Sequence, residues 1–207
     1  MYRWQIMQAV ARRGVVGIVR APDARTAEES VLRLVDRGAD VVEVSLTTPG
    51  ALEAISRAAA ARPDAVIGAG TVLDPESARL AALAGARFLV SPSLSPSVLA
   101  CGHRYGLAVI PGVGSATEIV NALEAGADAV KLFPARSSSP AALRDLLQAL
   151  PQAPVVPTGG VDAVNAATWI AAGAVAVGVG TALTAGDADA VRGLLDAVAA
   201  ARAGGSE

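Results

Sequence analysis

Short β-rich apolar runs alternate with longer Ala- and Leu-rich amphipathic segments along the whole chain, and this beat leaves few folds open. The runs are VVGIVR (15–20), VVEVSL (41–46), AVIGAGTV (65–72), RFLVSP (87–92), AVIPGV (108–113), AVKLFP (129–134), VVPTGG (155–160) and AVAVGVG (174–180). Five of the segments between them close on a glycine just before the next run: Gly38, Gly85, Gly106, Gly126 and Gly173. A glycine there suits the left-handed position that ends a helix. Before the third and seventh runs, Pro63, and Pro151 with Pro154, stand in that place. The segments open on capping residues, as in DARTAEES and in DPESARL, where Asp74 precedes Pro75 at the first turn.

Strands alternating with helices imply a parallel sheet covered by helices. Eight uninterrupted units favour an α/β fold closed as a (β/α)₈ TIM barrel, and 207 residues sit at the small end of its range of about 200 to 400. An open doubly wound sheet would carry a Gly-rich fingerprint after its first strand, and GIVRAPD is not one. An extra helix over 2–13 precedes the first strand. The expectation is a single domain over 1–207, with 204–207 as a disordered tail.

Composition narrows the function. Apolar residues make up 53% and aromatics 3%, so the core is built of Ala, Val, Leu and Ile. The net charge of −2 and the absence of a basic block argue against nucleic acid as a partner. One cysteine, Cys101, and one histidine, His103, offer neither a disulfide framework nor a Cys/His metal cluster. Both read as helix residues in SPSVLACGHRYG, a packed thiol and an outward imidazole. The opening MYRWQIMQAVARRG lacks the apolar core of a signal peptide. The uncharged stretch 163–186 raises a membrane question, but it is rich in Ala and Val, is broken by Gly173, Gly178 and Gly180, and divides into a helix and a strand. A soluble, cytoplasmic protein is expected.

Of the 17 basic residues, only Lys131 is a lysine. A general drift from Lys to Arg accounts for the arginines but not for a lysine between Val130 and Leu132, where burial needs a reason. An amine can lose its proton and attack a carbonyl to form a Schiff base; a guanidinium cannot. Chemistry in this fold sits at the C-terminal ends of the strands, where alternate residues face inward. Inward parity for Lys131 gives Ala129 and Phe133 the same direction. In the second strand it gives Glu43, Ser45 and Thr47 inward, with Val42, Val44 and Leu46 outward. Arg20 ends the first strand, and Thr71 follows Gly68 and Gly70 in the third. The plain structural alternative is a buried Glu43–Lys131 ion pair bracing the barrel, a weak stability device. Gly159, Gly160, Gly180 and Thr181 fall in the loops after strands seven and eight, where such barrels commonly bind phosphate.

EVSLTTPGA around Glu43, IGAGTVL, VSPSL, VIPGV, VKLFPA, VPTGGV and VGVGTAL, in this order, resemble the 2-keto-3-deoxy-6-phosphogluconate and 4-hydroxy-2-oxoglutarate aldolases. The similarity runs from about Val15 to Leu183. It implies a class I aldolase of the Entner–Doudoroff pathway that splits a phosphorylated 2-keto-3-deoxy sugar acid into pyruvate and glyceraldehyde 3-phosphate. It implies no metal and no cofactor, and a homotrimer. By position, Lys131 matches the Schiff-base lysine, Glu43 the acid/base carboxylate, Thr71 a residue near the pyruvate carboxylate, and Pro92 and Phe133 the pocket wall. Gly159, Gly160, Gly180 and Thr181 match the phosphate cradle, and Arg20 a basic residue that some members carry. Thr47 stands where well-known members have a substrate-holding arginine, and other members also have Thr there. The other readings are the same chemistry on the 6-phosphogalactonate analogue or on 4-hydroxy-2-oxoglutarate, a non-covalent phosphosugar isomerase or epimerase, and a non-catalytic phosphosugar-binding protein.

Overall fold

In a computed structural model of the chain, which describes residues 1–204, Asp23 accepts a hydrogen bond from the Thr26 N–H at 2.7 Å and Asp74 one from the Ser77 N–H at 2.6 Å. Each bond satisfies a donor that helical bonding leaves orphaned, worth about 1 kcal/mol per cap. These caps open α2 (Ala24–Asp36) and α4 (Pro75–Leu83), while Ser95, Ser115 and Ser139 open α5 (Pro96–Arg104), α6 (Ala116–Glu124) and α7 (Pro140–Ala149) in the same way. The remaining helices are α1 (Arg3–Arg13), α3 (Ala51–Ala61), α8 (Ala166–Ala171), α9 (Thr181–Thr184) and α10 (Ala188–Gly204). The five helix-ending glycines all have φ between 75° and 103°, as the left-handed position requires. Gly204, expected in a tail, belongs to α10, and 205–207 lie outside the described residues. No described helix is long and apolar enough to cross a membrane.

The strands are β1 (Val15–Val19), β2 (Val41–Ser45), β3 (Val66–Gly70), β4 (Phe88–Val90), β5 (Ala108–Ile110), β6 (Gly112–Val113), β7 (Val130–Leu132), β8 (Val155–Pro157) and β9 (Val177–Val179). All pair in parallel, in the orders β5-β4-β3-β2-β1-β9 and β6-β7-β8. A parallel bridge from Thr158 to Gly178 joins β8 to β9. The fifth run departs from expectation: AVIPGV is broken at Pro111, which has no N–H to donate. Its first part pairs with β4, its second with β7, and the two together form one stave, so the barrel has eight. Gly112 makes the crossing possible, because a Cβ there would lie 2.1 Å from the Pro92 carbonyl oxygen. The strands also stop short of the apolar runs, so Pro92 and Phe133 fall in loops rather than at strand ends, while Gly159 and Gly160 lie in the loop after β8 as expected.

Alternation sorts the side chains as predicted. Val42, Val44, Val130 and Leu132 pack in the layer between sheet and helices. Val16, Val41, Val66, Phe88, Val90, Ala129 and Val156 form a separate interior cluster, which α1 joins through Ile6 and Val10. An added Cβ on Gly68 would sit 2.5 Å from the Phe88 ring, so this glycine makes room for the interior's one phenylalanine. Inside the barrel the apolar filling gives way to Glu43 and Lys131, one strand step nearer the C-terminal mouth than Val41 and Ala129. Cys101 is a buried thiol donating to the Pro75 carbonyl at 3.2 Å. His103, expected to point outward, is instead partly buried, with Nε2 3.0 Å from Asp128 Oδ2.

Candidate active site

A cavity of about 470 Å³ opens at the C-terminal end of the barrel. Arg20, Glu43, Thr71, Pro92, Lys131, Phe133, Gly159, Gly160, Gly180 and Thr181 line it, so ten of the eleven residues singled out in the sequence meet there. Thr47 does not line it. Its hydroxyl instead accepts from Arg20 Nε at 3.2 Å and shares a hydrogen bond with Ser45 Oγ at 2.8 Å, while Ser45 Oγ bonds Thr71 Oγ1 at 2.9 Å. Arg20, Thr47, Ser45 and Thr71 thus form one polar chain across the ends of β1, β2 and β3. Thr71 is held at φ 59°, a strained conformation for a β-branched residue, which places its hydroxyl in that chain.

Lys131 is 8% exposed and Glu43 3%. Among the described residues neither forms an ion pair, so no basic nitrogen lies within 4.0 Å of the Glu43 carboxylate. The bracing ion pair expected as the alternative is therefore not formed. The Lys131 amine lies 4.7 Å from the centroid of the Phe133 ring, a cation–π contact. Burial pushes the Glu43 carboxyl above its ordinary range, against the opposing pull of Lys131 and then Arg20. Gly70 makes room for that carboxyl, since a Cβ there would lie 2.5 Å from Glu43 Oε1. On the far side, Gly159 and Gly160 take φ of 87° and 97°, and among the described residues the N–H groups of Gly159, Gly160 and Gly180 find no acceptor.

The cavity also holds residues the sequence reading missed, among them Ile18, Thr158, Gly178 and Arg136. Parity pointed to two of them: Ile18 lies between Val16 and Arg20, and Thr158 follows Val156. A model of the KDPG and KHG aldolases matches residues 6–196, nearly the whole chain. The chain belongs to this aldolase family. A 2-dehydro-3-deoxy-6-phosphogalactonate aldolase of Escherichia coli is 37% identical to this aldolase over 179 residues, 86% of this chain and 87% of that one. A 2-dehydro-3-deoxy-phosphogluconate aldolase of Treponema pallidum is 39% identical over 168 residues, 80% of each. Among solved structures, a KDPG aldolase of Legionella pneumophila, with pyruvate captured as a covalent carbinolamine, is similar at a TM-score of 0.81 and 30% identity. That match covers 94% of this aldolase and 98% of that chain. The aldolase is accordingly a lyase.

Proposed function

We propose that this aldolase cleaves 2-keto-3-deoxy-6-phosphogluconate to pyruvate and glyceraldehyde 3-phosphate by a class I, Schiff-base mechanism. The observation that carries the reading is a lone lysine, buried in the barrel mouth with no carboxylate on its amine. Neutral Lys131 attacks the C2 carbonyl, the carbinolamine loses water, and the resulting iminium accepts the electron pair of the C3–C4 bond as it breaks. Glu43, directly or through one water, takes the C4 hydroxyl proton, and glyceraldehyde 3-phosphate leaves. Protonation of the enamine at C3 and hydrolysis of the iminium release pyruvate and free the amine. The carboxyl's raised proton affinity suits a group that must take and return a proton near neutral pH.

Arg20 and Thr71, linked to one another through Thr47 and Ser45, would hold the substrate carboxylate, while the unpaired N–H groups of Gly159, Gly160 and Gly180 would hold the phosphate. Gluconate and galactonate substrates differ at C4, and relatives of both kinds are similar to this chain. Relative kcat/KM on the two phosphorylated epimers and on 4-hydroxy-2-oxoglutarate tests the choice. The reading predicts the gluconate first, and a leading galactonate or hydroxyoxoglutarate would replace it. The reading includes a trimer, supported by the exposed Leu73, Leu80 and Leu83 on and just before α4. Light scattering at three times 20.6 kDa is the expected result, and 20.6 kDa the contrary one. A cytoplasmic setting is in keeping with a single buried, unpaired cysteine.

A further inference from the structure

Most arginines of this chain are spoken for. Arg13 clamps Asp40, Arg62 bridges Asp36 and Asp64, Arg57 reaches Glu53 and Glu28, and Arg20 donates to Thr47. Arg136 alone among the described arginines combines two features. It lines the same cavity as Lys131, and its guanidinium meets no acceptor among the described residues. It is also anchored from behind. Its N–H donates to the Gly159 carbonyl at 2.9 Å, and the Ala135 N–H donates to the Thr158 carbonyl at 2.7 Å. These bonds stitch the 3-10 turn Ala135–Ser137 to the loop after β8. Gly160 lies so close that a Cβ there would be 2.8 Å from the Arg136 Cβ, so the arginine stem rests against the glycine loop.

We infer that Arg136 is the residue that selects phosphorylated over unphosphorylated 2-keto acids, its guanidinium closing the open side of the Gly159–Gly160 loop on the phosphate. Neutral N–H groups donate to a carboxylate or a phosphate with little preference. A permanently charged fork adds paired, charge-assisted hydrogen bonds that a phosphate dianion exploits best. The inference rests on the aldolase reading, with Arg20 and Arg136 gripping the two anionic ends and Lys131 between them.

The test compares wild type, Arg136→Gln and Arg136→Lys at fixed ionic strength. Kinetics are measured on 2-keto-3-deoxy-6-phosphogluconate and on 4-hydroxy-2-oxoglutarate, with inorganic phosphate as a competitive inhibitor. Arg136→Gln should lower the ratio of the two kcat/KM values by about ten- to a hundredfold and weaken phosphate inhibition in parallel. Arg136→Lys should recover part of both. An unchanged ratio with unchanged phosphate inhibition overturns the inference, and so does an equal loss on both substrates. Borohydride trapping of pyruvate on Lys131 in the same variants keeps the two claims apart. A trapped adduct with an unchanged ratio sinks only the role of Arg136. Without an adduct in wild type the aldolase reading fails, and calorimetric titration of phosphate into wild type and Arg136→Gln then decides the role of Arg136 without turnover: weaker binding upholds it, and equal binding overturns it.

Discussion

Glu43 and Lys131 face one another across the barrel mouth from staves four apart in a ring of eight, both buried and not in contact as an ion pair. A pair kept for stability would close that gap, because two buried charges are costly until they meet. Held apart, they leave room for a reacting carbonyl between an amine and a carboxyl.

Replacing Lys131 by arginine keeps a cation in the mouth and removes the nucleophile. Pyruvate release from 2-keto-3-deoxy-6-phosphogluconate should fall to background. Turnover surviving in Lys131→Arg would show that charge rather than covalency is what the position supplies.

Glu43→Gln preserves shape and removes the exchangeable proton. It should lower kcat by about 10² to 10⁴ fold while pyruvate still forms its adduct on Lys131. A variant with wild-type kcat would take the proton-transfer role away from Glu43.

The same substitution has a stability signature. Burial raises the Glu43 carboxyl above its ordinary value of 4.5, so the folded chain keeps a proton that the unfolded chain has lost. Between 4.5 and the raised value, wild-type stability from this group falls as pH rises. Glu43→Gln has no such slope. Thermal melts should show the variant gaining on wild type as pH increases above 4.5, with the difference smallest in acid, and a constant difference across pH would refute the raised value.

Gly70 and Gly68 separate site from scaffold. Alanine at 70 meets Glu43 Oε1 at 2.5 Å, and alanine at 68 meets the Phe88 ring at the same distance. Gly70→Ala should displace the carboxyl and cost about 10² in kcat. Gly68→Ala should cost about 1 to 3 kcal/mol of stability by overpacking. Urea melts and initial rates on both variants check the pairing, and the reverse ranking would contradict it.

Arg20→Gln should raise KM for phosphorylated and unphosphorylated 2-keto acids alike, by roughly tenfold or more, because every candidate substrate carries the carboxylate. A loss confined to phosphorylated substrates would move Arg20 to the other end of the ligand.

Parity made Lys131 and Glu43 legible, since a period of two fixes which residues face the interior once one is placed. The barrel followed from eight repeats and their closing glycines. Other features depend on contacts distant in sequence. The break at Pro111 reads as one continuous run until β4 and β7 are seen to claim its two parts. Phe133 looks like a strand residue because apolar composition continues after pairing stops at Leu132. Nothing in the sequence marks Arg136, and it is the backbone bond to Gly159 that ties it to the cavity. Thr47 shares the inward parity, yet its hydroxyl is taken up by Arg20 and Ser45, which puts it behind the site rather than in it.

With one lysine in the chain, the covalent claim can be read at a single peptide. The protein is incubated with pyruvate, reduced with borohydride, digested and mapped by mass spectrometry. A reduced pyruvate adduct is expected on Lys131 in AVKLFPAR, absent without pyruvate and absent from Lys131→Arg. No adduct in folded protein would contradict the Schiff-base mechanism and turn the site into one for acid/base isomerisation or for binding alone.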